Sequence, residues 1–304
     1  MRNLKYQMKN AIDQNFRERM DKDSIKNEKQ MDDTRIFSWS DRNNLIDLSA
    51  NFANFMQTNH NEIREMKNVT TEHVQNFLNE RSKTCTSETL KQYASKFNKI
   101  ERLINKTYST ANVNFHTEKM VTFGNERTRD IAMTREHYSQ LMNHVQGSRS
   151  QGVLALDLAG RFGLRVSEIP NIKGMDIRTA GDAIVLHIHE SKGNRSRDLD
   201  VTKPEDRDFL INRKQECGDN QRLVSIKEDS INKFLQRNLN ELHLTVYQER
   251  DTGVHAIRKM VAQERYDEER AKGHTQQEAL DTVSNFLGHG NNRNDLMKKY
   301  VLEM

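Results

Sequence analysis

The sequence predicts a mainly α-helical protein with a small antiparallel β-sheet, and three observations carry that expectation. Only two prolines and 13 glycines interrupt the 304 residues, so few positions force the chain out of a helix. Apolar residues recur at helical spacing over most of the length. One run, Ile184, Leu186 and Ile188, instead alternates with polar neighbours as a half-buried strand does; a turn at residues 191–194 and a return over Arg195–Val201 complete a hairpin.

Bulk properties narrow the class further. Charged residues make up 30% of the chain and mean hydropathy is -0.93. No stretch approaches the ~20 apolar residues of a membrane span, and the opening MRNLKYQMKN lacks the apolar core of a secretory signal. The expectation is a cytoplasmic protein with no membrane partner. Cys85 and Cys217 stand alone, so neither a paired-cysteine metal knuckle nor a disulfide framework is available. The formal net charge of +4 and a pI near 8.9 allow a polyanionic partner.

Taken in order, residues 1–35 mix both charge signs with few large apolar side chains and read as a frayed or solvent-exposed helical arm rather than core. Residues 36–110 form a helical domain, with apolar periodicity in Leu45, Leu48, Phe52 and Phe55 and then in Val74, Phe77 and Leu78. Its last helix starts at the cap-like Thr86-Ser87-Glu88. Leu90, Tyr93, Ala94, Phe97, Ile100 and Ile104 share one side, and Lys91, Lys99, Arg102 and Lys106 fall within an arc of roughly 80° on the other. Residues 111–130, rich in Thr, Asn and Gly, read as a linker. The domain at 131–304 opens on an apolar helix across Val153, Leu154, Leu156, Leu158 and Ala159, interrupted at 160–165. The hairpin follows, and helices resume near Ser230, Val254, Thr275 and Asn294.

Five short patterns in this last domain carry chemistry: GLRVSE with Arg165, ESKGNRSR with Lys192, HAIR with His255 and Arg258, LGH with His289, and KKYV with Tyr300. Each alone has an ordinary structural explanation, such as a helix-capping arginine or a hairpin-turn lysine. In-line attack on a phosphodiester builds negative charge on the nonbridging oxygens, and permanently protonated, planar guanidiniums such as Arg165 and Arg258 suit that charge. A phenol with a pKa near ~10 is scarcely ionised at neutral pH, so Tyr300 needs help losing its proton, and His255 is the candidate acid/base. An ammonium on a turn, Lys192, can protonate a departing alkoxide oxygen. His289 would donate a hydrogen bond to the phosphate, and Glu168 would orient Arg165.

In this order, with Lys192 at a hairpin turn and Tyr300 on a short terminal helix, the set resembles the active site of the tyrosine recombinase (phage integrase) family. The resemblance spans residues 133–304 and, more loosely, the helical unit, which is similar to that family's core-binding domain. It implies a helical core-binding domain followed by an α+β tyrosine recombinase catalytic domain, the two clamping duplex DNA and assembling as a homotetramer on two recombination sites. It also implies cleavage through a 3′-phosphotyrosine at Tyr300 with no metal or other cofactor, and leaves room for an accessory DNA-bending or directionality factor. In that context Lys91, Lys99, Arg102 and Lys106 become candidate DNA contacts.

Three features depart from the pattern: a long segment between Arg258 and Leu287, a long step from His289 to Tyr300, and a tail of only four residues, 301–304. The same residues would serve a dimer resolvase or a type IB topoisomerase-like enzyme, and a non-catalytic DNA-binding protein could keep the fold. A metal-dependent nuclease would need clustered ligands; His187 and His189 lie two apart with no third ligand at a recognised spacing and read as surface histidines.

Overall fold

The computed structural model describes residues 3–17, 35–36, 38–109, 111–117, 122–125, 131–180, 183–191, 195–249 and 252–301. Lys192, residues 18–34 of the expected arm and residues 126–130 of the expected linker lie outside the described residues. The chain divides into two compact units, Met1–Arg127 and Thr128–Met304.

The first unit is helical: α1 (Leu4–Asn15), α2 (Trp39–Asn59), α3 (Thr71–Arg81) and α4 (Ser87–Thr107). Side-chain oxygens of Asn3, Ser38 and Thr86 accept from the backbone N–H groups of Tyr6, Asp41 and Thr89 in the first turns of α1, α2 and α4, so each start is capped by its own sequence. The core is aromatic, with Phe52 packed edge-to-face on Phe77 and Phe97 at centroid distances of 5.5 and 5.1 Å. Two sequence expectations are corrected here. Leu4, Met8, Ala11 and Ile12 are buried in this core, so α1 is a packed helix rather than an exposed arm. Their spacing is that of one helical face, too thin in large side chains to announce itself. Ala111, Val113 and Phe115, assigned to the linker, are buried in the same core, with Val113 held at both backbone groups by Asn105.

The second unit contains α5 (Arg135–His144), α6 (Gln151–Phe162), a sheet, and then α7 (Pro204–Cys217), α8 (Glu228–Glu241), α9 (Val246–Glu249), α10 (Val254–Ala271), α11 (Gln276–Phe286) and α12 (Asn294–Met297). The sheet has order β1-β2-β3, all antiparallel, from β1 (Ile177–Ala180), β2 (Ala183–Ser191) and β3 (Arg195–Val201). The alternating residues Ile184, Leu186 and Ile188 are buried as the hairpin pattern requires. β1 and α7 were not expected from the sequence. β1 is four residues long, and α7 buries only Asp206 and Leu210, so neither shows a usable period.

α6 is the pivot of this unit, packing on both α8 and α10. It crosses α5 so closely that a Cβ on Gly160 would come within 2.1 Å of the Tyr138 hydroxyl, which donates to the Leu156 carbonyl. Gly160→Ala is therefore expected to destabilise the fold by about 1–3 kcal/mol through overpacking, read as a lower denaturant midpoint with an unchanged slope. The long segment after Arg258 is absorbed by extending α10 to Ala271, turning at Gly273 (φ +90°) and restarting α11 at a Thr275–Glu278 capping box.

Candidate active site

Five of the six expected catalytic residues come together in the second unit; Lys192 is the one outside the described residues. α6 ends at Gly163, whose φ of +57° turns the chain and delivers Arg165. His255 and Arg258 occupy the first turn and a half of α10 on a shared face. Behind α11, Gly288 (φ +74°) turns the backbone so that His289 faces back to Arg165. Tyr300 sits not on the terminal helix, as the sequence suggests, but in the turn after α12, its N–H bonded to the Met297 carbonyl at 2.8 Å. Its ring is 6% exposed and packs with Ala262, Tyr266, Leu280 and Met297. The long step from His289 is held by local bonds, Asn292 N to Asp281 Oδ1 at 2.8 Å and Ser284 Oγ to the Gly290 carbonyl.

The phenol is surrounded by the chemistry expected for it. The His255 ring lies 5.2 Å from the Tyr300 ring, the Arg258 guanidinium 5.8 Å from its centroid, and His289 Nε2 3.4 Å from its hydroxyl. His289 Nε2 also lies 3.3 Å from Arg165 Nη2. A guanidinium has no lone pair to offer, so this contact makes Nε2 the acceptor and puts the imidazole proton on Nδ1. Partial burial, with Arg165 and Arg258 beside it, holds the His289 pKa down at about 3, so the ring is neutral. In this tautomer Nε2 offers Tyr300 a lone pair. The expected hydrogen bond from His289 to a phosphate would need Nδ1 or the other tautomer.

Arg258 is fully buried and donates to the Gly163 carbonyl and, at 2.6 Å, to that of Leu287, tying the turns that carry Arg165 and His289. Desolvation and the Arg165 charge bring its pKa down to about 10, still well above neutrality. Glu168 is 3% exposed and accepts from Arg165 twice, at the backbone N (2.8 Å) and Nη1 (2.7 Å). It also accepts from Arg197, Nη1 at 2.7 Å and Nη2 at 2.9 Å. Burial alone would raise the Glu168 pKa, but the bonds to Arg197 and the surrounding guanidiniums outweigh it and bring the value to about 2. Arg197 was not singled out from the sequence, although it lies in the quoted ESKGNRSR segment. Only its β3 register points it to the site.

These shifts set an acid limit on stability. Glu168 and His289 both have folded pKa values below their ordinary ones, so the unfolded chain binds protons first as pH falls. Stability is expected to be complete above about pH 6.5 and to decline through His289 and then Glu168 down to about pH 2, the Glu168 share being about 3 kcal/mol. Urea midpoints measured from pH 7 to pH 3 check this; Glu168→Gln should flatten the lower part of the curve.

Elsewhere, Lys91, Arg102 and Lys106 are exposed on α4 as expected, whereas Lys99 is half-buried and paired with Asp41 of α2 at 2.7 Å. His187 pairs with Asp198 and His189 with Asp176. Among the described residues no group of three or more His, Cys, Asp or Glu could hold a metal ion. No described helix is long and apolar enough to cross a membrane.

No protein-family model matches the sequence, and no curated protein matches it. Solved structures do. The chain is similar to the XerH site-specific recombinase bound to palindromic difH substrate in a post-cleavage complex (TM-score 0.64, 14% identity, 98% of this chain and 91% of that one). It is also similar to a lambda integrase tetramer bound to a Holliday junction (0.62, 12%, 93% and 77%). A third match is the Tn1549 transposon integrase, residues 82–397, in complex with circular intermediate DNA (0.57, 11%, 99% and 95%). The chain therefore has the tyrosine recombinase fold.

Proposed function

We propose that this chain is a site-specific DNA recombinase that cuts and rejoins duplex DNA through a 3′-phosphotyrosine at Tyr300, integrating or excising a mobile element. The observation that carries the reading is the gathering of Arg258, His255 and His289 around the Tyr300 phenol, with Arg165 against His289, within a fold shared with DNA-bound recombinases.

In the reaction, Tyr300 Oη bonds to the scissile phosphorus as the bond to the 5′ oxygen breaks. Arg165 and Arg258 stabilise the charge on the nonbridging oxygens. His289 Nε2, 3.4 Å from the hydroxyl, and His255, whose ring lies 5.2 Å from the phenol ring, handle its proton. Lys192, which the sequence places between β2 and β3, protonates the leaving 5′ oxygen. The phosphotyrosyl bond keeps the phosphodiester energy, so a DNA hydroxyl can reverse the step without ATP.

The first unit supplies DNA contacts through Lys91, Arg102 and Lys106. Lys99 joins them only by leaving Asp41. A homotetramer on two sites is the assembly this chemistry calls for, and the lambda integrase structure is a tetramer bound to a Holliday junction.

The test uses nicked suicide duplexes drawn from the DNA flanking the chain's own gene. A band of protein-linked DNA on a denaturing gel is the expected result; DNA bound but never linked would overturn the enzymatic reading. Relaxation of a supercoiled plasmid lacking that DNA would favour a type IB topoisomerase-like activity instead.

A further inference from the structure

Arg197 forms a bidentate pair with a carboxylate that is itself shared by the two arginines assigned to the phosphate. It is 8% exposed at the side chain and spends both terminal nitrogens on Glu168, at 2.7 and 2.9 Å. Glu168 Oε1 also receives Arg165 Nη1, and Oε2 lies 4.0 Å from Arg258 Nη1. A lone buried carboxylate with two free oxygens would let Arg165 rotate between them. With Arg197 filling the fork, Arg165 has a single seat.

A second observation reaches Arg197 from the opposite side. A Cβ on Gly288 would come within 2.8 Å of Arg197 Cδ, so the glycine of the Leu287-Gly288-His289 turn is the residue that makes room for the arginine stem. Arg197 therefore touches the turn that aims His289 and the carboxylate that aims Arg165, while standing on β3. Three guanidiniums around one carboxylate also leave an excess of two positive charges, suited to a phosphate gaining negative charge during attack.

Resting on the recombinase reading above, we infer that Arg197 is a positioning residue for strand cleavage, locking Glu168 so that Arg165 holds the scissile phosphate in line with Tyr300 while His289 stays beside the phenol. It acts through Glu168 and the Gly288 turn rather than on the DNA.

The test compares Arg197→Ala, Arg197→Lys, Glu168→Gln and the Arg197→Ala/Glu168→Gln double variant in single-turnover adduct formation on the suicide duplex, with DNA binding followed by gel shift. Arg197→Ala should slow adduct formation roughly 10- to 100-fold, the range for losing a group that orients a reacting one, with DNA affinity unchanged within about twofold. Arg197→Lys should not recover the rate, because an ammonium cannot fill the fork, whereas added guanidinium chloride should restore part of it to Arg197→Ala. The double variant should be no slower than Glu168→Gln. Gly288→Ala, which displaces the arginine from the other side, should show the same pattern.

Losses that multiply in the double variant, or a fall in DNA affinity matching the fall in rate, would overturn the positioning role. So would an Arg197→Ala enzyme as fast as the parent. A parent chain that forms no adduct overturns the recombinase reading instead. In that case a ¹³C-carboxyl titration still tests the clamp, which predicts that Glu168 titrates at higher pH in Arg197→Ala and is contradicted by an unmoved titration.

Discussion

Tyr300→Phe should abolish protein-linked DNA while leaving DNA binding and folding nearly intact. The substitution removes one oxygen from a ring that is 6% exposed and packed among Ala262, Tyr266, Leu280 and Met297, so the ring volume and the Arg258 contact at 5.8 Å persist. The only described hydrogen-bond contact of the hydroxyl is the 3.4 Å approach to His289, too long to contribute much stability. The expected cost to folding is below about 1 kcal/mol. The chemical loss is of another order, since a nucleophile has no substitute: a fall in adduct formation on the order of 10⁴-fold or more. Gel-shift affinity, unfolding midpoint and denaturing-gel adduct, measured on one preparation, separate the two effects. Adduct persisting in Tyr300→Phe would assign the nucleophile to another residue.

The second large effect separates two arginines that look alike in sequence. Arg258→Ala should cripple both catalysis and folding. The side chain is fully buried, bonded to the Gly163 and Leu287 carbonyls, and faces Glu168; its removal leaves two buried carbonyls without this donor, less compensation for a buried carboxylate, and a cavity. The expected destabilisation is about 3–5 kcal/mol, which for a unit of this size lowers Tm on the order of 10 °C. Arg165 is 16% exposed at the side chain, so Arg165→Ala should cost folding less while slowing adduct formation roughly 10²- to 10³-fold. Thermal unfolding set beside single-turnover rates checks the contrast, and equal Tm losses in the two variants would contradict it.

That contrast also marks what the sequence could and could not convey. The β2–β3 hairpin was legible because Ile184, Leu186 and Ile188 alternate along a sheet with one buried face. The helices expected near Ser230, Val254, Thr275 and Asn294 begin at Glu228, Val254, Gln276 and Asn294. α7 carries too few buried residues to register, and α1 hides its face among charges.

Within the candidate site, Arg165, His255, Arg258, His289 and Tyr300 were picked out by their order and its resemblance to the family's set, and the second unit brings them near one another. Their environments were not legible. That Arg258 is buried while Arg165 is partly open depends on turns at Gly163 and Leu287, separated in sequence by more than a hundred residues. Arg197 was invisible for a related reason, since only the β3 register and the Gly288 turn bring it to Glu168. Lys99 shows the reverse error. Its place on the basic arc of α4 was read correctly, but its partner Asp41, 58 residues earlier, left no local trace.

The central claim is that Tyr300 becomes joined to a 3′ phosphate. Proteolysis of the trapped adduct followed by mass spectrometry tests it most directly, because Lys299 lets trypsin release a peptide that begins at Tyr300. The predicted result is nucleotide mass on that peptide and a free 5′ hydroxyl on the other DNA end. Nucleotide mass on a peptide carrying Tyr138, Tyr247 or Tyr266, or a 5′-phosphate linkage at any residue, would contradict it.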